Sequence, residues 1–289
     1  AAAPLGGRRA LPQRPPASPG PHPGRIKETP MSDFSTVLLE RSGPVSLVAL
    51  NRPDALNAFD EHLRRDLAAA LKQAHADPET RVIVLAAEGR AFCAGADLKA
   101  AKPGRDTQAS LMNEYKPVMD AITKGPKPVI VAAQGACAGI GASLVMASDL
   151  AVMEEDSYLY LAFAAIGLIP DGGAHWMLLR AIGKKRAYEM IVSAGRLKAA
   201  EALEAGLANK VVAKGEARAA AMEWAATLAQ GAPRTLRYAK SVLAAADDHS
   251  FDDSYAYEAA LQGICANSQD NADAVKAFLK KEKPVFTGA

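Results

Sequence analysis

Apolar positions along this chain change period several times, and each change marks an element. Residues 37–41 and 45–50 read as two strands on either side of Ser42-Gly43-Pro44, which predicts a hairpin. After a loop over 51–58, Asp60 stands as an N-cap before Leu63, Leu67 and Leu71, whose spacing puts them on one helical face. Asp77-Pro78 closes that helix. Residues 82–85 and 128–133 are short, wholly apolar runs, too brief for a surface helix and predicted as buried strands. Between them, residues 102–127 are polar and broken by prolines, and are expected to form a mobile stretch around Asp106. A strand through Val152 follows, and Tyr158 and Tyr160 alternate as strand residues that pack. From Gly195 onward helix dominates: 197–205 closed by Gly206, 217–230 closed by Gly231, one opened by Pro233, then 251–266 and 272–281. Strands alternating with helices in this way predict an α/β fold with parallel strands.

Two of these strands run into glycine. Gly135, Gly139 and Gly141 fall between the 128–133 strand and the helical spacing that resumes at Ala142, and residues 88–99 repeat the pattern after 82–85. A strand that turns through glycine into a helix leaves free N–H groups at the helix start, with the positive end of the dipole behind them. Such a place suits an anion, or an oxygen that becomes one during a reaction; tight packing of helix on strand is the other use of the same glycines. Further on, residues 161–170 are almost wholly apolar and lead to Asp171-Gly172-Gly173. An acid in that position is a helix N-cap for a segment starting near Ala174, a carboxylate delivered to a pocket, or both. No Gly-x-Gly-x-x-Gly follows a strand and no phosphate loop ends in Gly-Lys-Ser/Thr, so neither nucleotide fingerprint is present.

Composition narrows the classes. A chain of 289 residues, 49% hydrophobic and 23% charged, can bury a sizeable core and is ordinary for a soluble globular protein. No apolar run reaches the roughly 18 to 20 residues needed to cross a bilayer. Residues 1–30 are different material, with eight prolines, five basic residues and one acid. They are too proline-rich for a helix and too polar for a core, so disorder is expected; neither a transit helix nor a secretory apolar segment fits them, and Met31 reads as a start. With that tail set aside the body is near neutral, and the net charge of +2 gives no basic stripe for nucleic acid. Cys93, Cys137 and Cys265 are far apart and form neither a disulfide framework nor a zinc pattern, which fits a reducing, cytoplasmic setting. Cys93 and Cys137 read as small buried apolar residues, His175 as structural, and residues 184–186 as a solvated helix start.

Five spaced blocks, at 51–58, 91–98, 135–149, 166–173 and 190–207, resemble the enoyl-CoA hydratase/isomerase (crotonase) superfamily and together span residues 36–286. The resemblance implies the crotonase fold: repeated ββα units forming a spiral core over 31–195, then a C-terminal helical region over 196–289 that oligomerises as a homotrimer or dimer of trimers and completes a neighbour's CoA site. It also implies an oxyanion hole made by the backbone N–H groups of Ala96 and Ile140, which would hold a thioester carbonyl and stabilise its enolate. Many relatives have glycine where Ile140 stands. On the CoA side the resemblance implies contacts at Arg52, Ala55, Asp97, Leu98, Lys99 and Lys281; beside the hole it implies Gly141 and Phe163. Coenzyme A arrives as part of the substrate, so no separate cofactor, metal, nucleic acid or membrane is implied.

Departures from the family pattern sharpen the expectation. The hydratases it resembles use two glutamates, at positions filled here by Ser143 and Phe163, and neither is a general acid or base near neutral pH. Asp171 falls where aspartate-using isomerases carry their carboxylate. Halobenzoyl-CoA dehalogenases use the matching aspartate as a nucleophile, but they need an aromatic cradle, and this chain is 6% aromatic. The expected activity is therefore an acyl-CoA isomerase with Asp171 as proton shuttle, in an apolar surround of Phe163, Ile166 and Ile169 that raises its pKa. A hydratase of the same superfamily and a non-catalytic CoA-thioester-binding homologue are the alternatives.

Overall fold

The short apolar runs are strands buried on both faces, because helices cover both sides of one sheet. The computed structural model describes residues 29–100 and 104–289. The chain runs β1 (Thr29–Asp33), β2 (Val37–Ser42), β3 (Val45–Leu50), α1 (Glu61–Ala76), β4 (Val82–Ala87), α2 (Thr107–Ser110), α3 (Lys116–Lys124) and β5 (Val129–Ala133). It continues with β6 (Ala136–Ala138), α4 (Ile140–Ala147), β7 (Leu150–Glu154), β8 (Tyr158–Tyr160), α5 (Ala174–Val192), β9 (Arg196–Lys198), α6 (Ala199–Glu204) and β10 (Lys210–Val212). Four helices follow: α7 (Ala217–Leu228), α8 (Pro233–Ala246), α9 (Phe251–Ala266) and α10 (Gln269–Lys280).

Seven strands form the large sheet in the order β1-β2-β3-β4-β5-β7-β10, antiparallel through β3 and parallel from β3 to β10. Alternate residues divide its two faces. Val48, Leu50, Ile83 and Leu85 pack with Leu63, Leu67 and Leu71 of α1, the face expected from their spacing. Leu47, Ala49, Val82, Val84 and Ile130 pack with Ala217, Ala221 and Ala225 of α7. Small alanines let that helix lie close to the sheet.

A second sheet, β6-β8-β9, takes its first two strands from ββα units that begin in the large one: β5 leads to β6 and α4, and β7 leads to β8 and α5. Single bridges, Cys93 to Cys137 and Phe59 to Ala96, carry this second layer sideways through residues 93–96. The layer therefore aligns the two glycine loops.

Several expectations are corrected. Within the expected tail, Thr29 and Pro30 already pair with Arg41 and Glu40 in β1, an edge position that proline tolerates; residues 1–28 lie outside the described residues. The stretch expected to be mobile is helical from Thr107 to Lys124, and Asp106 is its N-cap, its carboxylate accepting from the Ala109 amide at 3.0 Å; residues 101–103 are outside the described residues. Pro117 has no N–H for the carbonyl four residues back, and just before it the helix slips into a π turn, Leu111–Tyr115, whose Lys116 amide bonds the Leu111 carbonyl. The helix expected over 197–205 spends Leu197 and Lys198 in β9, which pairs antiparallel with β8. β9, β10 and α7 are all built into sheets or core.

Candidate active site

Gly95 and Gly139 bring two loops into backbone contact. Both have positive φ, 99° and 54°, and a Cβ on either would come within 3.3 Å of the other loop's backbone. Side chains are excluded there by geometry as well as by conformation. The next residues, Ala96 and Ile140, therefore sit beside one another, and neither amide donates a hydrogen bond among the described residues. Ile140 is the first residue of α4, where unpaired N–H groups are inherent to the helix start. Buried Cys93 lies beneath both loops, with the amides of Gly95 and Gly141 directed at its sulfur; burial pushes its thiol up to about 12. Cys137 is likewise buried and pushed up, so both thiols are inert small residues, as expected. A Cβ at Gly141 would lie 2.7 Å from the Cβ of Cys93, so only glycine fits under the helix start.

Asp171 is tied to the same helix. Ser143 Oγ donates to the Asp171 carbonyl at 3.0 Å, and a Cβ on Gly172 would meet Ile140 Cδ1 at 2.6 Å and Ser143 Cβ at 2.8 Å. Its carboxyl does not cap α5: Gly173 holds the cap position and no side chain bonds there. Instead, among the described residues, Oδ1 is buried without a partner and the carboxyl's one bond comes from Asp171's own amide. Burial pushes the group up to about 6.

The cavity that receives it measures about 570 Å³ and is lined chiefly by Leu111, Met112, Tyr115, Met119, Trp176 and Met177. Of the expected surround only Ile169 lines it. Phe163 packs instead against Gly139, and Ile166 is 53% exposed. The carboxyl is buried largely by the helical segment 107–124, which sequence pattern assigned to a loop; Tyr115, Trp176 and the methionines carried no signal that pointed to the site.

Other expected contacts divide into two groups. Ala55, at the end of a single turn Pro53–Ala55, is half-buried, while Leu98 and Lys99 are exposed near Ala96. Arg52 and Asp97 are committed to each other: Arg52 Nη2 meets Asp97 Oδ2 and Asp60 Oδ2, each at 3.1 Å, and Asp97 Oδ1 accepts from the Lys99 and Ala100 amides. Burial opposes ionisation of Asp97, but Arg52 and those amides outweigh it and hold its pKa down. The pair clamps the loop that carries Ala96. Lys281, the left-handed C-cap of α10, makes no hydrogen bond or ion pair with Ala96, Ile140 or Asp171.

A family model described as enoyl-CoA hydratase/isomerase matches residues 40–289. The chain belongs to this family. Among its relatives in the family, a protein named probable enoyl-CoA hydratase from Rhodobacter capsulatus is 37% identical over 256 residues, covering 88% of this chain and 99% of that one. The 1,2-epoxyphenylacetyl-CoA isomerase of Escherichia coli K12 is 34% identical over 249 residues, covering 84% and 95%. The solved structure of an enoyl-CoA hydratase from Polaromonas sp. JS666 superposes with a TM-score of 0.82 at 29% identity, covering 87% and 99%. The fold is thus that of the crotonases, and the chain is an enzyme of the enoyl-CoA hydratase/isomerase family, acting on acyl-CoA. Hydratase and isomerase both occur among its relatives' names.

Proposed function

We propose that the chain is an acyl-CoA isomerase that moves a double bond through a thioester enolate. In this reading the amides of Ala96 and Ile140 bind the thioester carbonyl. Two preorganised donors stabilise the negative charge that develops on that oxygen when an α-proton leaves; removing one such donor typically costs about 10² to 10³ in rate. Asp171 takes the α-proton and returns it two carbons further along, so one base serves both transfers and no water is consumed.

The observation that carries the reading is the carboxyl of Asp171, buried, unpartnered at Oδ1 and raised to about 6. A base near that value is largely ionised at neutral pH, yet gives its proton back readily. Ser143 and Phe163 offer no second acid or base beside it: the Ser143 hydroxyl is spent on a carbonyl and Phe163 packs on Gly139. The isomerase named among the relatives supports the same choice. The hydratase names support the rival, addition of water through a base other than Asp171.

Solvent deuterium separates the two. With 3-enoyl- and 2-enoyl-CoA esters in D₂O, double-bond migration with deuterium incorporation, lost in Asp171→Asn, is the expected result. Addition of water that survives the substitution would overturn the isomerase. CoA binding without exchange on any ester would favour the non-catalytic reading.

Outside the site, Leu243, Phe251, Tyr255, Phe278 and Leu279 on α8, α9 and α10 are exposed large apolar residues. We assign that surface to homotrimer contacts, with Lys281 reaching a neighbour's CoA phosphates.

A further inference from the structure

The cavity around Asp171 holds one more polar group that the protein leaves unused. Tyr115 closes the π turn Leu111–Tyr115 and lines the cavity. Its ring packs on Phe59, with centroids 6.0 Å apart, and lies 4.9 Å from the guanidinium of Arg64. Arg64, only 3% exposed, donates through Nη1 to the Tyr115 hydroxyl at 3.3 Å and to the Phe59 carbonyl at 3.0 Å, while Nε bonds Glu114 at 2.8 Å. Arg105 meets the other oxygen of Glu114. Tyr115 is therefore gripped from behind by a buried cation and cannot turn away without breaking that set.

The direction of these bonds matters. The phenol oxygen accepts from Arg64, which draws electron density from it and makes its own O–H a stronger donor. No described residue accepts that proton. Burial raises Tyr115 above its usual range, and the charge of Asp171 adds to this, so the hydroxyl keeps its proton. Leu111, Met112 and Met119 of the lining offer nothing to it, and of its other polar residues Thr123 donates to the Met119 carbonyl and Lys116 pairs with Asp120. A donor held in place from behind, in a mostly apolar cavity, is the arrangement that orients a ligand oxygen.

We propose that Tyr115 is a substrate-recognition residue that donates a hydrogen bond to an oxygen on the acyl group beyond the β-carbon, as a hydroxyl, ketone or epoxide, and that Arg64 positions it. The chain would then select oxygenated acyl thioesters over plain ones. This rests on the reading of the Asp171 cavity as the acyl site.

Saturated esters test it without turnover. Binding of hexanoyl-CoA and of its analogues with a ketone at the fourth or fifth carbon is measured by titration calorimetry. The wild type is expected to prefer one keto ester on the order of tenfold, the worth of one net hydrogen bond. Tyr115→Phe should lose that preference while holding hexanoyl-CoA unchanged, and Arg64→Lys should shrink the ratio. A preference that survives in Tyr115→Phe, or a wild type indifferent to every ketone position, overturns the proposal. An unchanged ratio in Arg64→Lys removes Arg64 from it. Because saturated esters do not react, failure of the isomerase reading would appear only in the deuterium experiment and leave these ratios intact.

Discussion

Replacing Asp171 by asparagine should make the protein more stable, and by an amount that depends on pH. The carboxyl sits at about 6 when folded, against an ordinary value of 3.8. A difference of roughly two units, at about 1.4 kcal/mol each, makes the ionised form some 3 kcal/mol less favourable in the native state than in the unfolded chain. The native state binds the proton more tightly, so wild-type stability falls as pH rises from about 4 to about 6 and is level above that. Asparagine keeps the shape and cannot ionise. Its own cost in an apolar cavity is the same at every pH, so the diagnostic quantity is the change in the mutant–wild-type difference. That difference should grow by roughly 2 to 2.5 kcal/mol between pH 4 and pH 7. Urea unfolding of both proteins at several pH values, at one fixed chain concentration to hold any assembly constant, measures it. A difference that stays flat across that window would refute the argument that burial sets the group's proton affinity. The same base should show in catalysis as a fall of kcat/KM below about pH 6.

Two further outcomes test the scaffold behind that group. Gly172→Ala should lower deuterium exchange on the order of 10²-fold and destabilise by roughly 1 to 3 kcal/mol, because its Cβ would strike Ile140 and Ser143 from a left-handed backbone and displace Asp171; normal exchange rates would show that this contact does not position the carboxyl. Lys240→Ala should cost roughly 3 to 5 kcal/mol in thermal or urea unfolding, since Lys240 Nζ bonds Asp149 at 2.7 Å and the carbonyls of Ile122 and Lys127, and its loss leaves the buried Asp149 charge with backbone amides alone, among them Val129 at 2.7 Å. Burial disfavours both charges of that pair, so a loss under 1 kcal/mol would mean that water reaches the gap.

What could be read from residue order follows from how local each signal is. The hairpin, α1 and the buried strands are carried by runs of apolar residues that fold in one way only, and α1 even shows its cap: Asp60 accepts from the Leu63 amide. The two glycine loops and Asp171 were visible as candidates because glycine and an isolated acid are conspicuous among apolar neighbours. Their meeting was implied by the family resemblance alone and had no signal in the residue pattern, since it depends on β6, β8 and bridges of one residue, too short for any periodicity. Segment 107–124 was misread because its prolines and polar residues are loop-like one at a time; only the π turn reconciles Pro117 with a helix. Arg64 shows the limit most clearly. On an amphipathic helix an arginine looks solvated, and its partner Glu114 lies fifty positions away. Arg52 likewise gave no sign in residue order of its pairing with Asp60 and Asp97.

One detail of the Asp171 loop has a mechanical consequence. Ser143 fastens the backbone carbonyl of Asp171, while among the described residues the carboxyl beyond is bonded only by its own amide. The residue is an anchored arm. Its swivel point was fixed during folding, where ordering a backbone residue costs roughly 1 to 2 kcal/mol, and only two side-chain torsions remain loose. In the isomerase proposed above, carrying a proton from one carbon to another a short way along a chain then needs no loop opening and no domain movement. It needs rotation about bonds that already turn within picoseconds to nanoseconds at accessible sites.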